Sequence, residues 1–224
     1  GMGIMINIDQ LLTYPLFRNL QSSALEEILQ CVHVQYRSFP KGYYLAMTED
    51  EIRYIGIVCK GSVQMIKEDY WGNKTLLVHM RPGELFGETF VCSALFASKV
   101  SFVTAEKTEI LFLNYDRVMH TCSLTCRYHH RLIENMLQCI AEKNMRLMEK
   151  IEIVSKKTLR DKLMTYLSLE AQKQETEYFT IPLGRMELAE YLCADRSAIT
   201  RELVSMQEDG LITFEKNQFR ILIK

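Results

Sequence analysis

The stretch Leu183-Gly-Arg-Met-Glu-Leu-Ala-Glu-Tyr-Leu-Cys-Ala-Asp-Arg-Ser-Ala-Ile-Thr-Arg-Glu-Leu-Val-Ser-Met-Gln-Glu-Asp-Gly-Leu-Ile212 decides how the chain is read. It predicts two short helices, Arg185–Leu192 and Arg196–Glu208. Leu188 and Leu192 stand four apart and form the apolar face of the first. Ala189 is small, so a second helix can cross closely. Asp195 is placed to cap that second helix by accepting from its free N–H groups. Ile199, Leu203 and Met206 line one face of the second helix. Ser197, Thr200, Arg201 and Val204 lie away from that face. Asp209-Gly210 stops the helix, and Ile212 to Ile223 reads as a hairpin. Two helices, a tight turn and a following hairpin make a winged helix-turn-helix, whose second helix enters the major groove of double-stranded DNA. In that arrangement Arg196 and Arg201 present forks to guanine. Ser197 and Thr200 can bond a base or a phosphate, and Arg185, at the start of the first helix, suits a phosphate.

Working back from this stretch, Tyr178 to Pro182 reads as a short strand after the polar run Gln172 to Glu177. Leu159, Leu163, Met164 and Leu167 mark an amphipathic helix before it. Upstream of that, one long helix begins near Cys126. Its seam positions Ile133, Leu137, Ile140, Asn144, Leu147, Ile151 and Val154 are spaced alternately by four and three, a heptad pattern. A seam this narrow suits a partner helix better than a domain core. Asn144, one polar residue in an apolar seam, fixes register and strand number. Ile133, Leu137, Ile140, Asn144, Leu147 and Ile151 are therefore the expected interface of a parallel homodimer.

Residues 1 to about 118 have a different texture. Ala24, Leu25, Ile28 and Leu29 mark one helix near Ser22 to Gln30. Short β-rich runs follow: Tyr54 to Val58, Ser62 to Ile66 and Thr75 to Met80. Turn signals at Phe39-Pro40-Lys41-Gly42, Lys60-Gly61, Trp71-Gly72-Asn73 and Arg81-Pro82-Gly83 separate them. Strands at this spacing predict a sandwich, barrel or roll. The expected organisation is 1–124 effector domain, 125–154 dimerisation helix and 155–224 DNA-binding domain.

Composition is that of a globular chain, with 48% hydrophobic and 25% charged residues. Gly1 reads as a tag remnant. No apolar run approaches the roughly 20 residues that span a bilayer, and the N-terminal residues lack a basic n-region. Neither a membrane nor secretion is expected, so the chain reads as cytoplasmic. The seven cysteines (31, 59, 92, 122, 126, 139 and 193) include no CxxC pair and read as reduced thiols. No haem, iron–sulfur or other metal motif is evident, so no cofactor is expected. No nucleophile elbow, P-loop or zinc motif is present, so no catalytic residue is assigned. From Val154 onward eleven Lys/Arg balance eleven Asp/Glu. Net charge thus gives no support to nucleic-acid binding, which rests on where individual residues point.

With these residues in view, the chain resembles the Crp/Fnr superfamily of bacterial regulators over essentially its whole length. In the N-terminal half the similarity lies in Phe39-Pro40-Lys41-Gly42, Val58-Cys59-Lys60-Gly61-Ser62-Val63 and Pro82-Gly83-Glu84-Leu85-Phe86-Gly87-Glu88. In the C-terminal half it lies in Arg196-Ser197-Ala198-Ile199-Thr200-Arg201 and Asp209-Gly210-Leu211-Ile212. The resemblance implies an α+β chain: an N-terminal double-stranded β-helix (jelly-roll-like) sensor domain, a long dimerisation helix and a C-terminal winged helix-turn-helix. It implies that Arg196, Ser197 and Arg201 read a palindromic operator. Many relatives carry glutamate at the position of Ser197, so the half-site is expected to differ. RNA polymerase is a further expected partner.

The departures restrict the effector. In cyclic-AMP-binding relatives Gly87-Glu88 would open a phosphate cassette, with the glutamate on the ribose and an Arg-Ser pair about ten residues on. Here Lys99-Val100 stand at that pair, and lysine keeps a charge without the planar fork. The family's polar adenine contacts fall near Leu147 and Met148, which are apolar. Cyclic AMP is therefore not the expected effector. Gly87, Glu88, Thr89, Phe90, Lys99, Val100, Leu147 and Met148, with Phe102, are the candidate lining of a site for a less polar ligand, such as an aromatic or an organic anion. The alternative is a pocket filled by its own side chains. The oxygen-sensing branch's N-terminal cysteine cluster is missing, and His79 does not match the haem ligand of the carbon-monoxide-sensing branch. His129 and His130 read as solvated or interfacial. The function expected is that of a sequence-specific DNA-binding transcription regulator under allosteric control by a small effector. The alternative is a nucleotide- or small-molecule-binding sensor module without operator-specific DNA binding.

Overall fold

The computed structural model describes residues 6–120 and 127–222. Cys122, Cys126 and Ile223, named above, lie outside them. Packing divides the chain into two compact units, Gly1–Asn144 and Met145–Lys224.

The first unit opens with α1 (Ile8–Leu11), a 3-10 turn at Pro15–Phe17 and α2 (Ser22–Cys31). The strands β1 (Gln35–Phe39), β2 (Tyr44–Ala46), β3 (Tyr54–Lys60), β4 (Val63–Glu68), β5 (Lys74–Met80) and β6 (Leu85–Phe86) follow. Then come α3 (Glu88–Cys92), β7 (Ser101–Thr104), β8 (Thr108–Asn114) and α4 (Tyr115–Met119). The strands form two four-stranded antiparallel sheets, ordered β1-β8-β3-β6 and β2-β7-β4-β5. Phe86 on the first sheet meets Phe102 on the second, ring centroids 5.3 Å apart, so these side chains fill the space between the sheets. Phe112 and Tyr54 extend the same aromatic layer, 4.9 Å apart and edge to face. The opposite face of the first sheet is covered by the N-terminal segment, where Gln10 and Tyr14 both donate to the Cys59 carbonyl. That explains why β3 is apolar almost throughout: Ile55 to Cys59 are buried on both faces. Gly56 is required beneath Phe86, whose ring occupies the space a Cβ would need. Gly87 takes φ +88°, a conformation only glycine adopts freely, and so turns the chain from β6 into α3.

The long helix α5 (Arg127–Val154) belongs to the first unit as far as Asn144 and to the second from Met145. In the first unit it turns His129, Leu132, Met136 and Lys143 inward. Asn135 is buried beside them and donates to the carbonyls of Leu16 at 2.8 Å and Arg18 at 2.9 Å. His129 is thus not solvated: one ring nitrogen meets the Arg117 carbonyl at 3.2 Å, because the helix packs this face against the segment following β8.

The second unit continues with α6 (Leu159–Gln174), β9 (Tyr178–Thr180), α7 (Arg185–Leu192), α8 (Arg196–Glu208), β10 (Ile212–Glu215) and β11 (Gln218–Ile221). The three strands form one antiparallel sheet, ordered β10-β11-β9. Ile153, Leu163, Leu167, Phe179, Leu188, Leu192, Ile199, Leu203, Met206 and Phe219 make its core. The sequence signals for α7, α8 and the hairpin correspond to elements in these places. Among the described residues no helix is long and apolar enough to cross a membrane.

Candidate nucleic-acid interface

Three stripes run along α8. Ile199, Leu203 and Met206 are fully buried and hold the helix on α6 and α7. Arg196, Ser197, Thr200, Arg201 and Val204 are exposed. Arg196 and Arg201 carry no ion pair among the described residues, and Thr200 Oγ1 donates back to the Arg196 carbonyl at 3.1 Å. A third stripe of Glu202, Ser205 and Asp209 faces Arg160 on α6. The helix is entered by a tight turn in which Cys193 takes φ +55° and the Ala194 N–H donates to the Ala189 carbonyl. Asp195 has the extended backbone of an N-cap residue, but its side chain makes no cap hydrogen bond. It is exposed.

Arg185 stands apart from this exposed set. Nη1 donates to Asn217 Oδ1 at 3.2 Å, and Nη2 donates to the Lys216 carbonyl. The guanidinium also lies over the rings of Phe214 and Phe219, 5.8 and 5.4 Å from their centroids. Burial pulls its pKa below the ordinary arginine value. Two of its donors thus pin the β10–β11 turn to α7. Other cations of the unit are also engaged: Arg220 pairs with Glu177 at 3.2 Å and Lys173 with Glu149 at 2.6 Å.

The heptad positions of α5 differ in exposure. Ile133, Ile140, Leu147 and Val154 are half-buried, whereas Leu137 and Ile151 remain 64% and 66% exposed. Asn144 is exposed between them. Leu137 and Ile151, two heptads apart, are thus large apolar side chains left open to solvent on the helix.

Within the first unit the candidate effector residues Glu88 and Lys99 bond to different partners. Glu88, the first residue of α3, is 1% exposed and ion-paired with Lys143 of α5, which is 7% exposed at its side chain. Lys143 Nζ also donates to the Leu85 carbonyl at 2.6 Å. The second carboxylate oxygen of Glu88 has no hydrogen-bond partner among the described residues. Lys99 points elsewhere: its ammonium sits on Glu49 at 2.9 Å on the exposed surface, drawn there by the carboxylate. Gly87 and Thr89 flank Glu88 at the start of α3, and Val100 is buried beside β7. Phe90 and Phe102 are buried with ring centroids 6.2 Å apart, so at this point the interior is occupied by the chain's own rings. Leu147 and Met148 belong to the second unit, and Met148 is 60% exposed. A charged residue that sequence reasoning missed is Lys143, which pairs with Glu88 inside the first unit.

Residues 36–123 match the cyclic nucleotide-binding domain family, and residues 161–224 match the Crp-like helix-turn-helix domain. Together these cover more than half of the chain. The chain is 23% identical to the transcriptional activator protein FnrA of Stutzerimonas stutzeri over 217 residues, covering 94% of this chain and 85% of that protein. It is 20% identical to the transcriptional activator protein FnrL of Cereibacter sphaeroides, over 80% of this chain and 73% of that one. In structure it is similar to the c-di-GMP-responsive global regulator CLP of Xanthomonas campestris. The TM-score is 0.69 at 18% identity, with 91% of this chain and all of that one covered, and the likeness is one of fold.

Proposed function

Because the chain belongs to the Crp/Fnr family of transcription regulators, with a helix-turn-helix DNA-binding domain and an effector-binding domain, we propose that it is a cytoplasmic homodimer that reads a palindromic operator with α8. Control by a small effector other than cyclic AMP is part of the same reading. One observation carries it: α8 buries Ile199, Leu203 and Met206 and leaves Arg196, Ser197, Thr200 and Arg201 exposed. A helix held from behind with donors in front is what major-groove readout needs.

In this reading Arg196 and Arg201 take guanine edges, and Ser197 and Thr200 bond a base or a phosphate. The α5 seam of Ile133, Leu137, Ile140, Asn144, Leu147 and Ile151 joins two copies. The domains are 1–124, 125–154 and 155–224. A two-fold dimer then presents its α8 helices one turn of DNA apart, about 34 Å. The effector acts through its different affinities for two arrangements of this dimer. Cyclic AMP is disfavoured because no arginine stands in the cassette and because Glu88 already has Lys143 as its partner. RNA polymerase is the further partner expected of a regulator related to transcriptional activators.

Selection of bound duplexes from a random pool tests the proposal. The expected result is an enriched palindrome with half-site centres one helical turn apart. Absence of enrichment, both for the protein alone and with cell extract added, would instead favour a sensor module without operator specificity.

A further inference from the structure

Arg160 is the second residue of α6, just after Thr158, which caps that helix by accepting from the Asp161 N–H. Its guanidinium makes three directed bonds to α8 and its C-terminal cap. Nε donates to Glu202 Oε1 at 2.6 Å, Nη2 to Ser205 Oγ at 2.9 Å and Nη1 to Asp209 Oδ2 at 2.7 Å. The acceptors are spaced by three and four residues, so they form one stripe of the helix. At about 100° per residue this stripe is separate from both the buried stripe and the exposed one. The two contacts differ in kind. Apolar burial of Ile199, Leu203 and Met206 opposes separation but is non-directional. A planar guanidinium bonded to two carboxylates and a hydroxyl has a fixed geometry and opposes rotation of α8 about its own axis.

We propose that Arg160 is a positioning residue for operator recognition. It sets the rotation of α8, and with it the angle at which Ser197, Thr200 and Arg201 meet base edges, while touching no DNA itself. This rests on the reading that α8 enters the groove. The side chain is partly exposed, so the expected effect is on recognition more than on folding.

The test uses the full-length protein, the enriched duplex and a scrambled duplex of equal length, in the buffer of the selection and well below the melting temperature of every variant. Arg160→Gln should lower the ratio of operator to scrambled affinity roughly tenfold, about the effect of losing one base contact. Affinity for the scrambled duplex should be unchanged. Glu202→Gln combined with Asp209→Asn should reproduce that loss, and Arg160→Lys should recover only part of the ratio. A proportional fall in both affinities would mark Arg160 as merely structural and overturn the proposal. So would an unchanged ratio in Arg160→Gln. Arg201→Ala is the control. If it lowers the ratio where Arg160→Gln does not, the Arg160 proposal fails alone. If Arg201→Ala also leaves the ratio unchanged, the groove reading fails and takes this proposal with it.

Discussion

Replacing Lys143 with Met should leave the Glu88 carboxylate buried and without its cation, and the Leu85 carbonyl without its donor. Removing one partner of a buried ion pair costs about 3–5 kcal/mol, because the remaining charge stays desolvated. For a chain of this size each kcal/mol moves the melting temperature by ~2–4 °C, so a fall of roughly 6–20 °C is expected. Glu88→Gln alone should also destabilise, since it leaves the ammonium buried. The double variant Glu88→Gln, Lys143→Met removes both charges, and pairs of this kind are often replaced at little net cost. It should melt well above the sum of the single losses, with a coupling of at least ~2 kcal/mol. Calorimetry of the full-length protein, following the transition of the first unit, reads all four corners of the cycle. A Lys143→Met shift below about 2 °C, or strictly additive losses, would refute the argument that the pair is desolvated and coupled.

Other outcomes follow from the same geometry. Arg201→Ala should cost about 1–3 kcal/mol at one base position, read by binding to single-base operator variants, if it reads guanine. Arg185→Ala should instead lower the melting temperature of the second unit by freeing the β10–β11 turn, costing about 1–2 kcal/mol, with no change at any single base. Leu137→Glu with Ile151→Lys should convert a dimer to monomer in light scattering. A dimer that persists would exclude the α5 seam. Burial raises the thiols of Cys59 and Cys139 from 9.0 to about 11. At pH 8 each should be alkylated roughly a hundredfold more slowly than an unshifted thiol, while exposed Cys193 labels first. Because the folded pKa lies above the unfolded one, the stability these neutral thiols contribute is complete below pH 9 and is lost as pH rises through 11. Urea midpoints at pH 8 and pH 10.5 check the sign.

The recognition half was legible because its signals are local. Leu188, Ala189, Ile199 and Leu203 set helix faces within one or two turns, and Asp209-Gly210 ends the second helix within the same window. The length of α5 was legible for the same reason, since no glycine or proline interrupts it. What escaped depends on distant partners. Arg185 at a helix start reads as a phosphate ligand, and nothing near it in sequence reveals its bonds to Lys216 and Asn217, more than thirty positions later. Lys143 in sequence is one more lysine on a long helix, and its partner Glu88 lies 55 positions away. Lys99 was expected to supply a cation to the cassette, whereas Glu49, 50 positions upstream, holds it at the surface. Charged residues identify themselves poorly in sequence because either sign is soluble anywhere on a surface, and only the fold decides which are desolvated.

The engagement of Arg160, Arg185 and Arg220 within the second unit leaves Arg196 and Arg201 as its arginines presented outward on α8. Sequence-independent attraction to DNA comes from counterions displaced by cations that reach phosphates. In a C-terminal segment whose eleven Lys/Arg are matched by eleven Asp/Glu, that attraction is small. A regulator built this way should bind non-operator duplexes with a shallow salt dependence and accumulate little on them. Search for the operator should then proceed by encounters from solution, and its occupancy should follow the free concentration of the protein closely.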